Sequence, residues 1–406
     1  MITIAPVGSN MIGADYICDG LTDVATIQGA IDAAESNYYL FYPGVFYIDG
    51  VITITNKSEY VLSGCGPNTK FYNTSNDFVF KFTSTIKGGD WFDLWNNPSY
   101  VEIKDMIFTQ IDPLLSRRWN VIDNPDWSNW GVNKAKGINF DGMCNSKISN
   151  CYFYGLADIG ISFTNYSWNN RVDSCHFWFT ATGLPNDALV WPRGAITFEE
   201  VEKQHDMKIT NCTFSGLEPQ DGGNVRDIIG IAGGTATNLE INLCKFEHYC
   251  KGNYTDTGLN RAIYWGAGNS LRVANCSMEA VDIGVDLHGG QTENQGVMIS
   301  NNDFFDVRIG VLCGGGQDVM EPSIIGNLFK ANHFTSIYPI HLYNIDNIVK
   351  ENHIISDNKF NVGAGDALSC IDEDNVLLRS FIIQNNWYKN SSGYNKTIYP
   401  YERDLV

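Results

Sequence analysis

The sequence is short of basic residues. Lys and Arg total 27 against 46 Asp and Glu, so the net charge is −19 at pH 7 and the isoelectric point is about 4.6. A chain this acidic is repelled by phosphate backbones and by anionic lipid surfaces. We therefore expect neither nucleic acid nor a membrane as a partner.

Long apolar runs and targeting segments are also lacking. The first residues, Met1–Pro6, show no basic segment followed by an apolar one, and no apolar run approaches the roughly 20 residues of a membrane span. If the protein works outside the cell, we expect export or release by a route other than a cleaved signal peptide.

The 11 cysteines do not follow the spacing of a metal or redox site. The chain has no CxxC pair, no Cys/His cluster at zinc spacing, and no Gly-Lys-Ser/Thr after its glycine-rich pieces. We therefore predict no metal and no cofactor.

A short phrase, Ile/Val/Phe-x-Asn-(Cys/Asn)-x-Phe, is present in ten related copies. They begin at Ile103, Ile148, Val172, Ile209, Ile241, Val273, Ile299, Phe329, Ile355 and Ile383. A second phrase, a small residue followed by Ile/Val-x-apolar, alternates with it, as in Gly137–Phe140 and Gly284–Leu287. Self-similarity at 20–50 residues indicates a solenoid, and these short strands predict an all-β chain folded as a parallel β-helix of about ten coils.

The first phrase predicts two strands that meet at a one-residue bend. In the copy that begins at Ile148, strict alternation would put Cys151 and Phe153 on the solvent side. A left-handed conformation at Asn150 resets the alternation and turns both side chains inward, since Asn tolerates positive φ. Equivalent inward positions then stack about 4.8 Å apart.

The stacked positions predict internal ladders. One runs through the cysteines and continues through asparagines that bond along the axis, which implies reduced, packed thiols. Its members are Met106, Cys151, Cys175, Cys212, Cys244, Cys276, Asn302, Asn332, Asn358 and Asn386.

We divide the chain into four stretches. Residues 1–75 form a cap and the first strands, with an amphipathic helix over Val24–Ala34 behind a Thr22/Asp23 N-cap. Residues 76–135 form a first coil with a Trp-rich insertion. Residues 136–390 are the regular coils, and 391–406 are a short tail.

The cap carries a specific series of motifs. They are Gly13-Ala14, Asp19–Asp23, Ile27–Ala34, Pro43–Tyr47, Val51–Ile54 and Leu62–Gly66. This series resembles the start of the pectate-lyase-like right-handed β-helix superfamily, in the branch of phage tailspike depolymerases and pectate lyase 3-type proteins. The resemblance implies a right-handed helix, side-by-side homotrimers, other virion tail proteins as partners, and a place on the virion or otherwise outside the cell.

The resemblance also implies a substrate groove along an outer face. We place it on the strands of the second phrase, whose outward positions are Asn139, Ser162, Thr197, Ala232, Tyr264, Asp286, Leu312, His341 and Ser369. Candidate catalytic carboxylates are Asp286, Asp282, Glu199 and Asp227, because glycoside hydrolysis uses two carboxyl groups. Candidate substrate-binding residues are Tyr264, His288, Arg308, Arg193, Trp191, Trp127 and Trp130.

Three functions fit this groove. The first is a carbohydrate-active depolymerase that hydrolyses a cell-surface polysaccharide with paired carboxylates. The second is a polysaccharide lyase, which could need Ca²⁺ held by the acids. The third is a virion structural or adhesion protein that binds glycans without cleaving them, in which case these acids only solvate a strand face.

Overall fold

The computed structural model describes most of the chain. The described residues are 1–9, 13–21, 23–33, 36–85, 99–110, 135–156, 158–178, 194–198, 204–215, 229–233, 236–249, 260–266, 270–288, 294–314, 320–331, 338–343, 353–362, 371–374, 381–384 and 386–390. They fall into two compact units, Met1–Lys208 and Ile209–Val406. No helix in this part of the chain is long and apolar enough to cross a membrane.

The described residues of the first unit form one α-helix, one short 3₁₀ helix and seventeen strands. The helices are α1 (Asp23–Asp32) and the 3₁₀ turn Gly66–Asn68. The strands are β1 (Ile2–Ala5), β2 (Tyr16–Ile17), β3 (Tyr38–Phe41), β4 (Gly44–Ile48), β5 (Ile52–Thr55), β6 (Val61–Ser63), β7 (Thr69–Asn73), β8 (Phe78–Thr83), β9 (Glu102–Lys104), β10 (Ile107–Thr109), β11 (Lys136–Asp141), β12 (Lys147–Ser149), β13 (Tyr152–Tyr154), β14 (Ile161–Thr164), β15 (Arg171–Asp173), β16 (His176–Trp178) and β17 (Ile196–Phe198).

The second unit is built from strands in its described part, and β18 (Lys208–Thr210) begins at the unit boundary. The others are β19 (Thr213–Ser215), β20 (Ile229–Gly233), β21 (Leu239–Asn242), β22 (Lys245–Tyr249), β23 (Arg261–Trp265), β24 (Leu271–Ala274), β25 (Ser277–Val281), β26 (Ile283–His288), β27 (Asn294–Ser300), β28 (Asp303–Phe305), β29 (Ile309–Gly314), β30 (Met320–Ile325), β31 (Leu328–Ala331), β32 (Tyr338–Tyr343), β33 (His353–Ser356), β34 (Lys359–Val362), β35 (Ile371–Asp374), β36 (Phe381–Gln384) and β37 (Trp387–Asn390).

The described strands of each unit form three sheets, and each coil adds one strand to each sheet. In the first unit the first sheet is β2-β1-β3-β6-β9-β12-β15, the second β4-β7-β10-β13-β16 and the third β5-β8-β11-β14-β17. In the second unit they are β21-β24-β27-β30-β33-β36, β19-β22-β25-β28-β31-β34-β37 and β20-β23-β26-β29-β32-β35. The strand pairs are parallel, which confirms the predicted parallel β-helix.

The predicted bend is present between the first and second sheets. Asn150 has φ +51°, and Asn211, Asn275 and Asn301 lie between +54° and +55°. Because this turn reverses the alternation, Cys151 and Phe153 are fully buried. Ser174 and Leu243 adopt the same conformation in their copies.

The predicted thiol and amide ladders form the interior beside this bend. Each ladder thiol donates to the carbonyl two residues earlier, for example Cys276 Sγ to the Ala274 carbonyl at 3.3 Å. Burial raises the pKa of the Cys244 thiol, so it stays protonated. The cysteines among the described residues are free, as predicted for the ladder members, whereas Cys250 and Cys370 lie outside the described residues.

The amide ladder is confirmed, but one of its members was assigned wrongly. Asn302 Nδ2 donates to Asn327 Oδ1 at 3.0 Å, and Asn327 Nδ2 donates to Asn358 Oδ1 at 3.0 Å. The ladder position is therefore Asn327, not Asn332, and Asn332 itself lies outside the described residues. Phe329 ends its phrase instead of beginning it, because its ring stacks between those of Phe304 and Phe360.

The small residue of the second phrase makes room for the phenylalanine of the first. A Cβ added to Gly310 would lie 2.5 Å from the Phe329 ring and 2.5 Å from the Pro339 carbonyl oxygen. At Gly137 the Phe153 ring would be 2.8 Å away. Real Cβ atoms do not approach neighbours this closely, so the two phrases are coupled by packing.

Helix α1 covers the end of the first unit, although it begins and ends slightly earlier than the predicted Val24–Ala34. Ile27, Ala30 and Ile31 are buried beneath it. Its Gln28 side chain bonds the outermost strand of the third sheet, accepting from Thr53 N–H at 2.8 Å and donating to Thr53 carbonyl at 3.0 Å. Asp23 likewise accepts Tyr47 N–H at 2.7 Å on the outermost strand of the second sheet. Helix side chains thus satisfy two sheet edges that would otherwise be open to pairing.

We expect Gln28→Leu to lower the stability of the protein by about 1–2 kcal/mol, because both Thr53 backbone groups lose their partner. Gln28→Glu should cost less, since it keeps the acceptor for Thr53 N–H. The urea midpoint of unfolding checks both. Equal midpoints for the parent and Gln28→Leu would contradict an edge-capping role.

Candidate functional site

The outward face of the third sheet in the second unit carries the predicted groove positions. Register aligns Ala232 with Tyr264, Tyr264 with Asp286, and Asp286 with Leu312 on successive strands. The row continues through His341 to Asp372. Asp372 therefore takes the position predicted for Ser369, which lies outside the described residues.

Asp286 lies at the centre of a compact cluster on this row. Arg261 Nε donates to Asp286 Oδ2 at 2.5 Å, and the Arg261 guanidinium carbon lies 5.4 Å from the centroid of the Tyr264 ring. Asp286 is 2% exposed and Tyr264 is 7% exposed. We call Arg261, Tyr264 and Asp286 the Asp286 cluster.

Two neighbouring strands assemble this cluster. Arg261 and Tyr264 lie on β23 and Asp286 on β26, whose inward residues Val285 and Leu287 are fully buried and fix the strand against the core. The charge of Asp286 also affects a thiol inside the core. Burial, and then the Asp286 carboxylate, raise the pKa of the Cys313 thiol on the next strand.

A second ion pair lies at the start of the same strand. Asp282 is 4% exposed, accepts Asn260 N–H at 3.3 Å, and has Oδ1 3.7 Å from Arg308 Nε. The structure thus brings Arg308, predicted to bind substrate, to Asp282. The assignment of Asp282 and Asp286 as catalytic carboxylates stays a prediction.

The other predicted site residues cannot be placed. Glu199, Asp227, Arg193, Trp191, Trp127 and Trp130 lie outside the described residues. His288 occupies the last position of β26, paired in register with Gly314, and its side chain is not described. These assignments stay predictions.

The described residues contain no group of three or more His, Cys, Asp or Glu side chains that could hold a metal ion. The Asp286 cluster offers one carboxylate, and an arginine already occupies it. The functional groups of the Asp286 cluster are therefore a carboxylate, a guanidinium and a phenol.

Two outward groupings escaped the sequence analysis. In the first unit, the carboxylate of Asp141 accepts the Thr83 hydroxyl at 3.1 Å and the Asn165 amide. On the second sheet, aromatic side chains occupy the position before and the position after the inward Phe, as with Tyr152 and Tyr154. The first phrase leaves the position before that Phe variable. Comparing the residues at this position in the successive copies would have revealed the aromatic side chains on the second sheet.

Known protein structures are similar to this chain in fold, but the sequence comparisons found no match. No protein-family model and no curated protein sequence matches the chain. PfbA, a surface adhesin of Streptococcus pneumoniae, is 15% identical over 93% of this chain and 88% of its own, with a TM-score of 0.61. Endopolygalacturonase I from Stereum purpureum is 10% identical over 87% and 96%, with a TM-score of 0.53.

A tailspike protein of E. coli bacteriophage HK620, solved with a pentasaccharide, is 15% identical over 91% of this chain and 63% of its own, with a TM-score of 0.56. At these identities, likeness reveals shared architecture and not shared activity. The chain therefore shares the right-handed parallel β-helix fold of these three proteins.

Proposed function

We propose that this protein is a glycan-active β-helix that hydrolyses a cell-surface polysaccharide on the outward face of the third sheet. The observation that carries the proposal is the Asp286 cluster. A buried carboxylate, an arginine and an aromatic ring converge on the outer side of a strand, where packing of the core does not require them. A buried carboxylate with a charged partner on an outer face is a candidate for a functional site.

The cluster suggests which part of the reaction Asp286 performs. A guanidinium in contact with a carboxylate favours its ionised form. An ionised Asp286 can accept a proton from water as that water attacks the anomeric carbon, but it cannot protonate the departing glycosidic oxygen. A second carboxyl group has to supply that proton as the glycosidic bond breaks. Within the second unit, Asp282 and Asp227 are the candidates that the sequence offers.

A non-catalytic role has its own support. The pairing of Asp286 with Arg261, together with its 2% exposure, is also the arrangement of a structural ion pair. PfbA, which shares the fold, is described as a surface adhesin. In this alternative the same face binds a glycan, and no bond is cleaved.

Mass spectrometry of a panel of bacterial capsules and O-antigens incubated with the protein separates these roles. We expect oligosaccharide products that have gained one water per cleavage. Unsaturated, ultraviolet-absorbing ends would instead indicate a lyase, and adding EDTA would test its dependence on Ca²⁺. Binding without any product would support the adhesin.

The partners and location follow from the same proposal. A polysaccharide of a cell surface places the protein on a virion tail or otherwise outside the cell, where other tail proteins would be its neighbours. The homotrimer remains part of this proposal, and sedimentation at several protein concentrations tests it.

A further inference from the structure

The second sheet of the first unit presents an unusual outer surface. Its outward side chains, which we call the aromatic face, are those that alternate with the buried residues of β4, β7, β10, β13 and β16. By register they form two rows, Val45, Lys70, Ile107, Tyr152 and His176 in one and Tyr47, Tyr72, Thr109, Tyr154 and Trp178 in the other, and Thr109 is itself buried.

The aromatic side chains of this face contact one another in neighbouring pairs, and Ile107 or Thr109 interrupts each row. The rings of Tyr152 and His176 are parallel to within 8°, with centroids 4.8 Å apart. Tyr154 and Trp178 are 5.2 Å apart at 64°, and half-burial raises the pKa of Tyr154 to about 12, so its hydroxyl remains a donor. Tyr152 is 37% exposed, which makes this end of the face accessible.

Formation of the sheet does not require this composition. In the second unit, charged side chains occupy half of the outward positions of the second sheet on β19, β22, β25, β28 and β31. Lys245 forms an ion pair with Glu247, and Glu279, Asp303 and Lys330 follow on later strands. The other positions hold Thr213, Ser215, Ser277, Phe305 and Leu328. Those strands pair in the same parallel manner. Exposed aromatic clusters that the fold does not need are typical of binding surfaces.

The small number of charged side chains on the aromatic face indicates which class of ligand it binds. None of its side chains is a carboxylate, although the chain has a net charge of −19. Partial burial lowers the pKa of His176, so Lys70 is left as the one cation among these positions at neutral pH. A cationic ligand would find no carboxylate here, although the Tyr and Trp rings could attract it, and a strongly anionic ligand would find a single lysine.

The size of the face argues against a protein partner. Five strands about 4.8 Å apart extend over about 19 Å, and two outward positions per strand give on the order of 200 Å². A stable protein interface needs about 800 Å² from each partner. Tyr and Trp side chains are flat, have a polar edge and lose little conformational entropy on binding. They therefore suit a narrow ligand that has both apolar faces and hydroxyl groups.

We infer that the aromatic face binds an uncharged oligosaccharide, at a site separate from the Asp286 cluster. The ligand lies along the rows, its apolar ring faces against the aromatic side chains and its hydroxyls within reach of Tyr, His and Lys polar atoms. This binding requires no cleavage, so it stands or falls independently of the proposed hydrolysis.

An array of neutral and acidic oligosaccharides, probed with the full chain, tests the inference. We expect binding to at least one neutral member, and a loss of about tenfold or more in affinity for Tyr152→Ala combined with His176→Ala. The matched control is Lys245→Ala combined with Glu247→Ala, on the same sheet of the second unit, which should bind as the parent does. Circular dichroism should show all variants folded, because these four side chains lie on the outer side of the sheet.

Three results would overturn the inference. They are an array with no bound neutral member, full binding by the Tyr152/His176 variant, and a concentration-dependent dimer that this variant abolishes, which would make the face a contact with a second copy. Asp286→Asn separates the two sites. Asp286→Asn should bind the array as the parent does, even if this variant no longer cleaves polysaccharide. The same holds if the parent itself shows no cleavage.

Discussion

Asp286→Asn should reduce polysaccharide cleavage by about 10²–10⁴-fold, because an amide cannot take the proton from the attacking water. The Asp286 side chain is nearly isosteric with asparagine, so the contact with Arg261 Nε at 2.5 Å can persist through the remaining oxygen. The rate of appearance of new reducing ends measures the loss. Asp303→Asn, at an exposed outward position of the second sheet, is the matched control and should retain the parental rate.

Stability measurements distinguish chemistry from structure at the same residue. In either role Asp286→Asn leaves the charge of Arg261 uncompensated, which costs up to about 3–5 kcal/mol of folding free energy, so the rate is normalised to folded protein. If the Asp286 cluster is only a structural ion pair, cleavage per folded molecule is unchanged. A destabilised variant with the parental specific rate would contradict the catalytic role and favour the structural one.

Phe214→Asp should prevent folding. The Phe214 ring is fully buried and stacks on Phe246, with centroids 4.6 Å apart and planes within 6°. A carboxylate at this point would have no partner inside the stack, and burial of an unpaired charge costs more than the few kcal/mol by which proteins are stable. Soluble yield and the circular dichroism spectrum after purification measure the effect.

Thr213→Asp is the control for that substitution. Thr213 precedes Phe214 on β19 and points outward, so the same charge would face solvent. We expect it to fold with a spectrum like the parent's. A soluble, β-rich Phe214→Asp protein would contradict the assignment of this row to the interior.

The interior was predictable because every coil repeats the same burial. Ile148, Cys151 and Phe153 recur at fixed spacing, and the positive φ of Asn150 explains how residues of opposite parity can all face inward. The one misassigned copy has a local cause. Gly326 occupies its bend with φ +70°, in place of Asn, and the adjoining residues 329–334 end in the same Asn-x-Phe, so the sequence contained two candidate copies side by side.

The helical cap was partly predictable for the same reason. The spacing of Ile27 and Ile31 marked a buried face, and both residues are buried. The role of Gln28 was hidden, because a polar residue on a helix gives no signal of the strand edge it will meet. That edge lies at Thr53, beyond two intervening strands.

The sequence by itself determined the coil, its inward ladders and the outward set from which a site could be drawn, because burial of apolar side chains repeats with each coil and leaves a period. Only the tertiary structure decided which outward residues meet. Arg261 reaches Asp286, and Arg308 lies beside Asp282, through register between strands that are separated by loops of unequal length. These contacts do not repeat from coil to coil, because outward side chains are not constrained by the hydrophobic core and each pair forms once. The sequence repeat therefore does not indicate them.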